Sequence, residues 1–450
     1  TGGAPGTSPN IIIRGVGTFG DYSPLVIVDG VESSLSKVDV NDIENFSVLK
    51  DGSAAAIYGA KAANGVILVT TKKGKAGEPV ITLDVDHSIN IPFRFWPMLS
   101  ADGYASVAKT AYEDAGEVVP DYINNYQALG STDWMKTMTS NGYSTKYKFN
   151  VNGGSETVTY DISATLNKEK GIMIRSDLMT PALRARIDIK KNRFSMGLIT
   201  NVSQRKGQSF TSTGESALMD VIRTIPLGTP KDENGDWVGY IGTNPLTRVE
   251  RGNPLFVAMN PDKQWKNNIY DINGFGEFEI FKGLKFKVQA AFSNEDYWNY
   301  NFSPRYNLNP HNRQDLDELS EARSNWYAWQ MTSTLNYDNK FGKHSIGILA
   351  GYEAKDETYR NVSIWGDDFL FPELRVPQSI IGNKDIKGYQ TSSSYLSQFG
   401  RINYDYDNKY YLSATIRRDG SSKFSPNNRY GIFPSASLAC HANHGDPARP

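Results

Sequence analysis

The sequence predicts a membrane β-barrel of antiparallel strands preceded by a small α/β plug domain. Three observations carry that reading. Residues 24–75 combine two β-type runs, 25–28 and 65–71, with a helix candidate of small residues between them. From Val80 onward the chain becomes a series of segments with apolar residues at every second position. The connections between those segments alternate between long and short, as in outer-membrane barrels.

The first unit, residues 1–77, reads as follows. Residues 10–14 and 25–28 are strand candidates. Residues 40–43 carry a helix start, with Asn41 or Asp42 as the N-cap. Residues 46–49 form a third strand, 53–59 a short alanine-rich helix, and 66–71 a fourth strand ending at Lys72, Lys73 and Lys75. Asp-Gly pairs follow Val28 and Lys50, where tight turns are expected. Structural roles are expected throughout: turns and close packing at Gly15, Gly30, Gly52, Gly59 and Gly65, side-chain to backbone bonds from Asp29 and Asp51, packing at Tyr58, and an ion pair from Arg14.

The second unit, residues 78–439, has period two. Val158, Tyr160, Ile162, Ala164 and Leu166 alternate with polar residues, as do Leu183, Ala185, Ile187 and Ile189. Leu284, Phe286, Val288, Ala290 and Phe292 do the same against Lys285, Lys287 and Gln289. Roughly twelve segments are expected, each near the 9–11 residues that cross a bilayer at a tilt. They fall near 80–90, 145–153, 157–168, 182–190, 193–204, 268–281, 284–297, 325–338, 344–358, 394–405, 409–418 and 430–439. Long connections lie at 91–144, 169–181, 205–267, 298–324, 359–393 and 419–429. Aromatic residues gather at the short-turn side, among them Phe278, Phe281, Phe286, Tyr337, Phe341, Tyr404, Tyr406, Tyr410 and Tyr411. An interfacial girdle has that distribution. A soluble β-sandwich or propeller also alternates, but with shorter strands and without loops sorted by length.

Composition bounds the classes. The chain has 450 residues, 39% hydrophobic and 12% aromatic, and a net charge of −1. Mean hydropathy is −0.48. No apolar run approaches the roughly 18 residues of a transmembrane helix, which leaves β-barrels open. The near-neutral charge offers nothing to nucleic acid. Cys440 is the single cysteine, so an intrachain disulfide is impossible.

Other motifs are weak. Gly15, Gly17 and Gly20 match GxGxxG, but Asp21, Tyr22, Ser23 and Pro24 follow instead of a helix, and no kinase signature appears downstream. Cys440, His441 and His444 complete neither a haem nor a zinc pattern. No cofactor, metal or catalytic motif is present, and an enzyme is not expected. Trp237, Tyr240, Trp298, Tyr300 and Trp365 are placed in long loops, where they either stack on a ligand or serve as anchors and loop packing.

The strings RGVGTFG, PLVIVDGV, DIENFSVLKDGSAAAIYGAKAANGVILVTTKKGK and RRDGSSKFSPNNRYGIFPSASL resemble TonB-dependent outer-membrane transporters of the SusC/RagA family. The resemblance implies the later part of a plug and about half of a 22-stranded barrel. It leaves residues 440–450 as a tail outside the family pattern. A signal peptide, a TonB-contacting segment and the first part of the plug are expected upstream. The implied function is active nutrient import across the outer membrane, with the plug gating the lumen. Implied partners are TonB with its ExbB–ExbD motor, a SusD-like lipoprotein and outer-membrane lipid. The implied ligand is an oligosaccharide first and a peptide next. Inward-facing Arg184, Arg186, Asp188, Lys285 and Lys287 are expected to give plug and wall a polar, adjustable contact. The alternatives are a passive porin and a soluble or surface glycan-binding β protein.

Overall fold

A computed structural model describes residues 4–7, 11–13, 15, 22–92, 97–208, 217–239, 253–309 and 312–441. Two sheets organise them. The small one joins β1 (Leu25–Val28), β2 (Val31–Glu32), β3 (Ile43–Leu49) and β4 (Val66–Thr71) in the order β2-β1-β4-β3. β1 and β4 run parallel, and β3 is antiparallel to β4. Between β3 and β4 lies α1 (Gly52–Ala55), continued by 3-10 turns at Ala56–Tyr58 and Ala60–Asn64. Ile27, Ala55, Ala62 and Val66 are buried together, with Leu25, Leu49, Tyr58 and Leu68 around them.

Two expectations about this unit need correction. Residues 11–13 are not a strand, and Arg14 lies outside the described residues. The turn at Val40–Asp42 is a 3-10 helix capped by Asp39, whose carboxylate accepts from the Asn41 amide at 2.8 Å. Asn41 and Asp42 are already inside the turn, one position too late to cap it.

The large sheet has 12 strands. They are β5 (Gly77–Asn90), β6 (Gly142–Gly154), β7 (Val158–Lys170), β8 (Asp177–Lys191), β9 (Phe194–Gln208), β10 (Asp262–Phe281) and β11 (Leu284–Ser303). A small loop hairpin, β12 (Tyr306–Asn309) and β13 (Asn312–Gln314), precedes β14 (Glu318–Phe341), β15 (His344–Asp367), β16 (Lys384–Tyr406), β17 (Tyr410–Ser421) and β18 (Tyr430–Cys440). Each barrel strand is antiparallel to the next, from β5 at one edge to β18 at the other. The expected number of strands is the number found.

Their length is the surprise. β14 and β15 each have 24 residues, more than twice what a bilayer requires. The alternation of apolar and polar side chains is clearest in the parts of the long strands nearest the short turns. Toward the long-loop ends of β11, β14 and β15 polar and aromatic residues share both faces, so period two fades while backbone pairing continues. Trp298, Tyr300 and Trp365, expected in loops, therefore lie within β11 and β15.

The connections at the long-loop end are folded. α2 (Ala101–Asp114), α3 (Asp121–Asn124) and α4 (Trp134–Met138) lie between β5 and β6; α5 (Ala217–Arg223) and α6 (Pro254–Met259) lie between β9 and β10. Tyr104, Ala105 and Ala108 of α2 pack with Ile123, Ile225 and Leu227. Trp134, Met135 and Met138 pack with Val221 and Ala258. Among the described residues no helix is long and apolar enough to cross a membrane.

Candidate functional site

Pleating sends alternate side chains of each barrel strand to opposite faces. One face presents exposed Ile162, Leu183, Leu198, Ile272, Phe292 and Trp329. The other meets the plug on strands as far apart as β6 and β17. The sheet therefore wraps the plug, apolar side out.

Ion pairs and hydrogen bonds join plug and wall at many points. Asp42 pairs with Lys148 of β6 at 2.5 Å, with side-chain exposures of 7% and 4%. Asp39 pairs with Lys146 at 2.6 Å. Lys37 reaches Asp271 at 3.3 Å and Glu295 at 2.8 Å, and its ammonium lies over the Trp326 ring. Glu32 bridges Lys61 of the plug and Lys355 of β15, both at 3.0 Å. Arg417 of β17 donates to the Ile57 carbonyl at 2.5 Å and to Asp419 at 2.6 Å. Asp419 in turn accepts from the Ala60 amide at 3.3 Å.

Asp29 anchors the densest cluster. Its carboxylate accepts from the Thr71 amide at 3.0 Å and the Thr71 hydroxyl at 2.6 Å, and Arg186 lies at 3.3 Å. Arg184 donates to Thr71 Oγ1 at 2.6 Å, to the Lys72 carbonyl at 3.0 Å and to Asp161 at 2.7 Å. The Asp29 carbonyl accepts from Gln289 at 2.7 Å. Asp29 thus ties β1 to β4 and both to the wall, a wider reach than the local turn bond expected of it. Asp29 and Gly30 have φ of 48° and 87° and form the hairpin turn between β1 and β2.

Opposite charges hold two plug carboxyls below their ordinary range. Burial pushes Glu32 up, but the ammoniums of Lys355 and Lys61 outweigh it and the net direction is down. Burial also opposes ionisation of Asp39, yet the bonds from Lys146 and the Asn41 amide bring it down. In the plug core, burial raises the Tyr58 phenol against the pull of Arg401.

The remaining expected residues fall in different places. Gly59 has φ 73° and ψ −158°, a region that favours glycine, and a Cβ there would stand 2.0 Å from Asp419 Oδ2. Gly65 closes the second 3-10 turn against Ile13. Gly52 and Gly15 face open space, so close packing does not require them. Asp51 occupies the N-cap of α1 without a side-chain cap bond. Of the wall residues, Arg184 and Arg186 touch the plug, and Asp188 holds Arg186 at 2.7 Å. Lys285 pairs with Glu277 instead, and Lys287 lies over Phe275.

Trp298 and Tyr300 stack on each other on the outer face of the sheet, away from the plug. Trp237 packs on Phe256 in the loop end, and Tyr240 lies outside the described residues. Among the four that are described, Trp365 alone shares the plug-facing parity of Lys355. The lumen aromatics that sequence reading missed are Trp265, Tyr297, Trp326, Tyr359, Tyr389 and Tyr395. Trp265 stacks on Tyr297, and Tyr359 lies 5.7 Å from Tyr389. Their signal was parity with inward polar neighbours on long strands. Between plug and wall remains a cavity of about 1060 Å³, lined mostly by apolar groups such as Val26, Leu35, Phe46 and Ile199, with Lys146, Asn201, Arg205 and Asp271 among them.

Residues 1–66 match the TonB-dependent Receptor Plug Domain. TonB-dependent receptor P3 of Formosa agariphila is 31% identical over 97% of this chain and 43% of its own length. TonB-dependent receptor SusC of Bacteroides thetaiotaomicron is 27% identical over 97% of this chain and 45% of its own. The chain spans less than half the length of these relatives. Its fold superposes on a chain of the RagAB peptide transporter with a TM-score of 0.83 at 22% identity, covering 95% of this chain and 52% of that one. The ferric citrate transporter FecA gives 0.53 at 10% identity, over 92% of this chain and 50% of its own.

Proposed function

The chain belongs to the SusC/RagA-type TonB-dependent transporters, and from that premise we propose that the whole protein imports a bulky nutrient across the outer membrane. The plug gates the lumen, and no bond chemistry is involved. One observation carries the reading: the plug is seated by ion pairs and hydrogen bonds rather than by an apolar core. Water replaces these polar contacts once the seam opens, at a net cost of typically about 1 kcal/mol per hydrogen bond, so a seated plug remains movable. TonB with ExbB–ExbD supplies the pull, and a SusD-like lipoprotein covers the mouth.

The cargo is an oligosaccharide. Aromatic rings facing the lumen above the plug offer flat apolar platforms edged by hydrogen-bonding groups, the surface a sugar ring stacks on. Tyr389, 57% exposed, is the most accessible of them. Tyr389→Ala should weaken oligosaccharide binding about three- to tenfold, from the ~0.5–1.5 kcal/mol of an aromatic contact. Calorimetry on the purified protein reads it. A peptide is the second reading, since the RagAB chains that share the fold are described as peptide transporters. Deleting the gene and comparing growth on single glycans and peptides separates the two. Unchanged growth on all of them would overturn import.

A further inference from the structure

A second set of cations lies on the outer face of the barrel, remote from plug and lumen. Cross-strand register places Lys168 opposite Met179, Met179 opposite Lys206, and Lys206 opposite Lys266. The same row continues through Trp298 to Arg323. Paired residues share a face, and this face is the one that carries Ile162, Leu183, Leu198, Ile272 and Phe292 below. Lys168 and Lys206 are exposed, and Lys266 is half-buried. Among the described residues none of the three lysines forms an ion pair. The nearest acids are Asp296, diagonal to Lys266 and within reach of its charge, and Glu321, beyond Trp298. Asp296 is held by Arg323 at 2.9 Å, and Glu321 accepts from the Trp298 ring nitrogen at 2.7 Å. Asp177, between Lys170 and Gln208, sits one step further toward the loops.

Two features of this row call for an anion. Lys206 and Lys266 face each other directly on neighbouring strands, where like charges destabilise a sheet. Their Cβ atoms are about 5 Å apart in such a pair, close enough for both ammoniums to close on one tetrahedral oxyanion. The height is the second feature. From Phe286 in the lower aromatic band to Trp298 the strand climbs ~40 Å along its axis. At a tilt of about 40° that is ~30 Å along the membrane normal. The hydrocarbon core is about 30 Å thick, so the row stands at head-group level in the outer leaflet.

We propose that Lys168, Lys206 and Lys266, with Arg323 beyond them, form a binding row for the phosphate groups of an outer-leaflet lipid. The proposal rests on the barrel reading above. A phosphate between Lys206 and Lys266 removes their repulsion, and apolar side chains below receive the acyl chains. Lipid so held seals the outside of β7–β10.

The test uses the full-length protein purified from outer membranes, with two probes: lipid A carrying phosphate and the same lipid A after dephosphorylation. Native mass spectrometry counts lipid retained per barrel at low and high salt. The expected result is retention of the phosphorylated form alone, weakened by salt. K168Q/K206Q/K266Q should reduce it about tenfold or more, and the Lys→Arg triple should restore it. Equal retention of both lipids, or equal retention by wild type and the Gln triple, would overturn the row. Heat-modifiable gel migration is read on every variant. Wild-type protein that shows none would instead overturn the barrel itself. A Gln triple that migrates as a folded barrel yet loses the lipid supports the row.

Discussion

At the scale of single residues, seating of the plug concentrates in buried charges that lack partners if either side is cut. Asp42→Ala leaves the Lys148 ammonium in a site 4% exposed. The loss should be about 3–5 kcal/mol, since a stranded charge costs more than the pair contributes. Thermal unfolding and hydrogen exchange of residues 38–49 would show it. Asp42→Leu with Lys148→Met should recover most of that loss, because a well-packed apolar pair replaces two desolvated ions. Gly59→Ala combines a backbone region reserved for glycine with a clash at Asp419, itself fixed by Arg417, and should cost about 1–3 kcal/mol. Acid acts on the same seam. Glu32 and Asp39 have folded values below their ordinary 4.5 and 3.8. Their contribution is complete above those values and disappears as pH falls through the lower folded ones. Exchange protection of the plug should be flat from pH 7 to 5.5 and fall only below about pH 4.

At the scale of elements, the lower halves of the strands were readable because one face is apolar and the other polar. Period two survives wherever that contrast exists. The upper halves of β11, β14 and β15 have polar residues on both sides and looked like loops. The helices at the long-loop end were hidden for a different reason. Most are short, and α2 completes the burial of Tyr104, Ala105 and Ala108 against Ile225 and Leu227, which lie more than a hundred positions away. Trp134 shows how such a cap is held: it is buried, and its ring nitrogen donates to the Ile225 carbonyl at 2.8 Å. Trp134→Ala should loosen α4 and α5 by about 3–5 kcal/mol. Limited proteolysis should cut there first, while the barrel keeps its heat-modifiable migration.

At the scale of the whole molecule, β5 and β18 each pair on one side only among the described residues. Open edges are not tolerated in hydrocarbon, where every backbone group needs a partner. These 450 residues expressed alone should therefore show neither heat-modifiable migration nor uptake in whole cells. Uptake by this stretch alone would overturn that expectation.

The amino-acid order determined the strand number, the alternation of long and short connections and three of the plug's strands, because these follow from local periodicity and turn chemistry. Its motif strings also pointed to the family. Tertiary structure alone decided which charges meet. Asp29 finds Arg186, Glu32 finds Lys355 and Ile57 finds Arg417 across separations of 157, 323 and 360 positions. No local pattern encodes such pairs, since each depends on how far the sheet curls and in which register its strands lie. Curvature and register likewise placed Trp298 outside and Trp326 inside, although both are tryptophans on neighbouring strands.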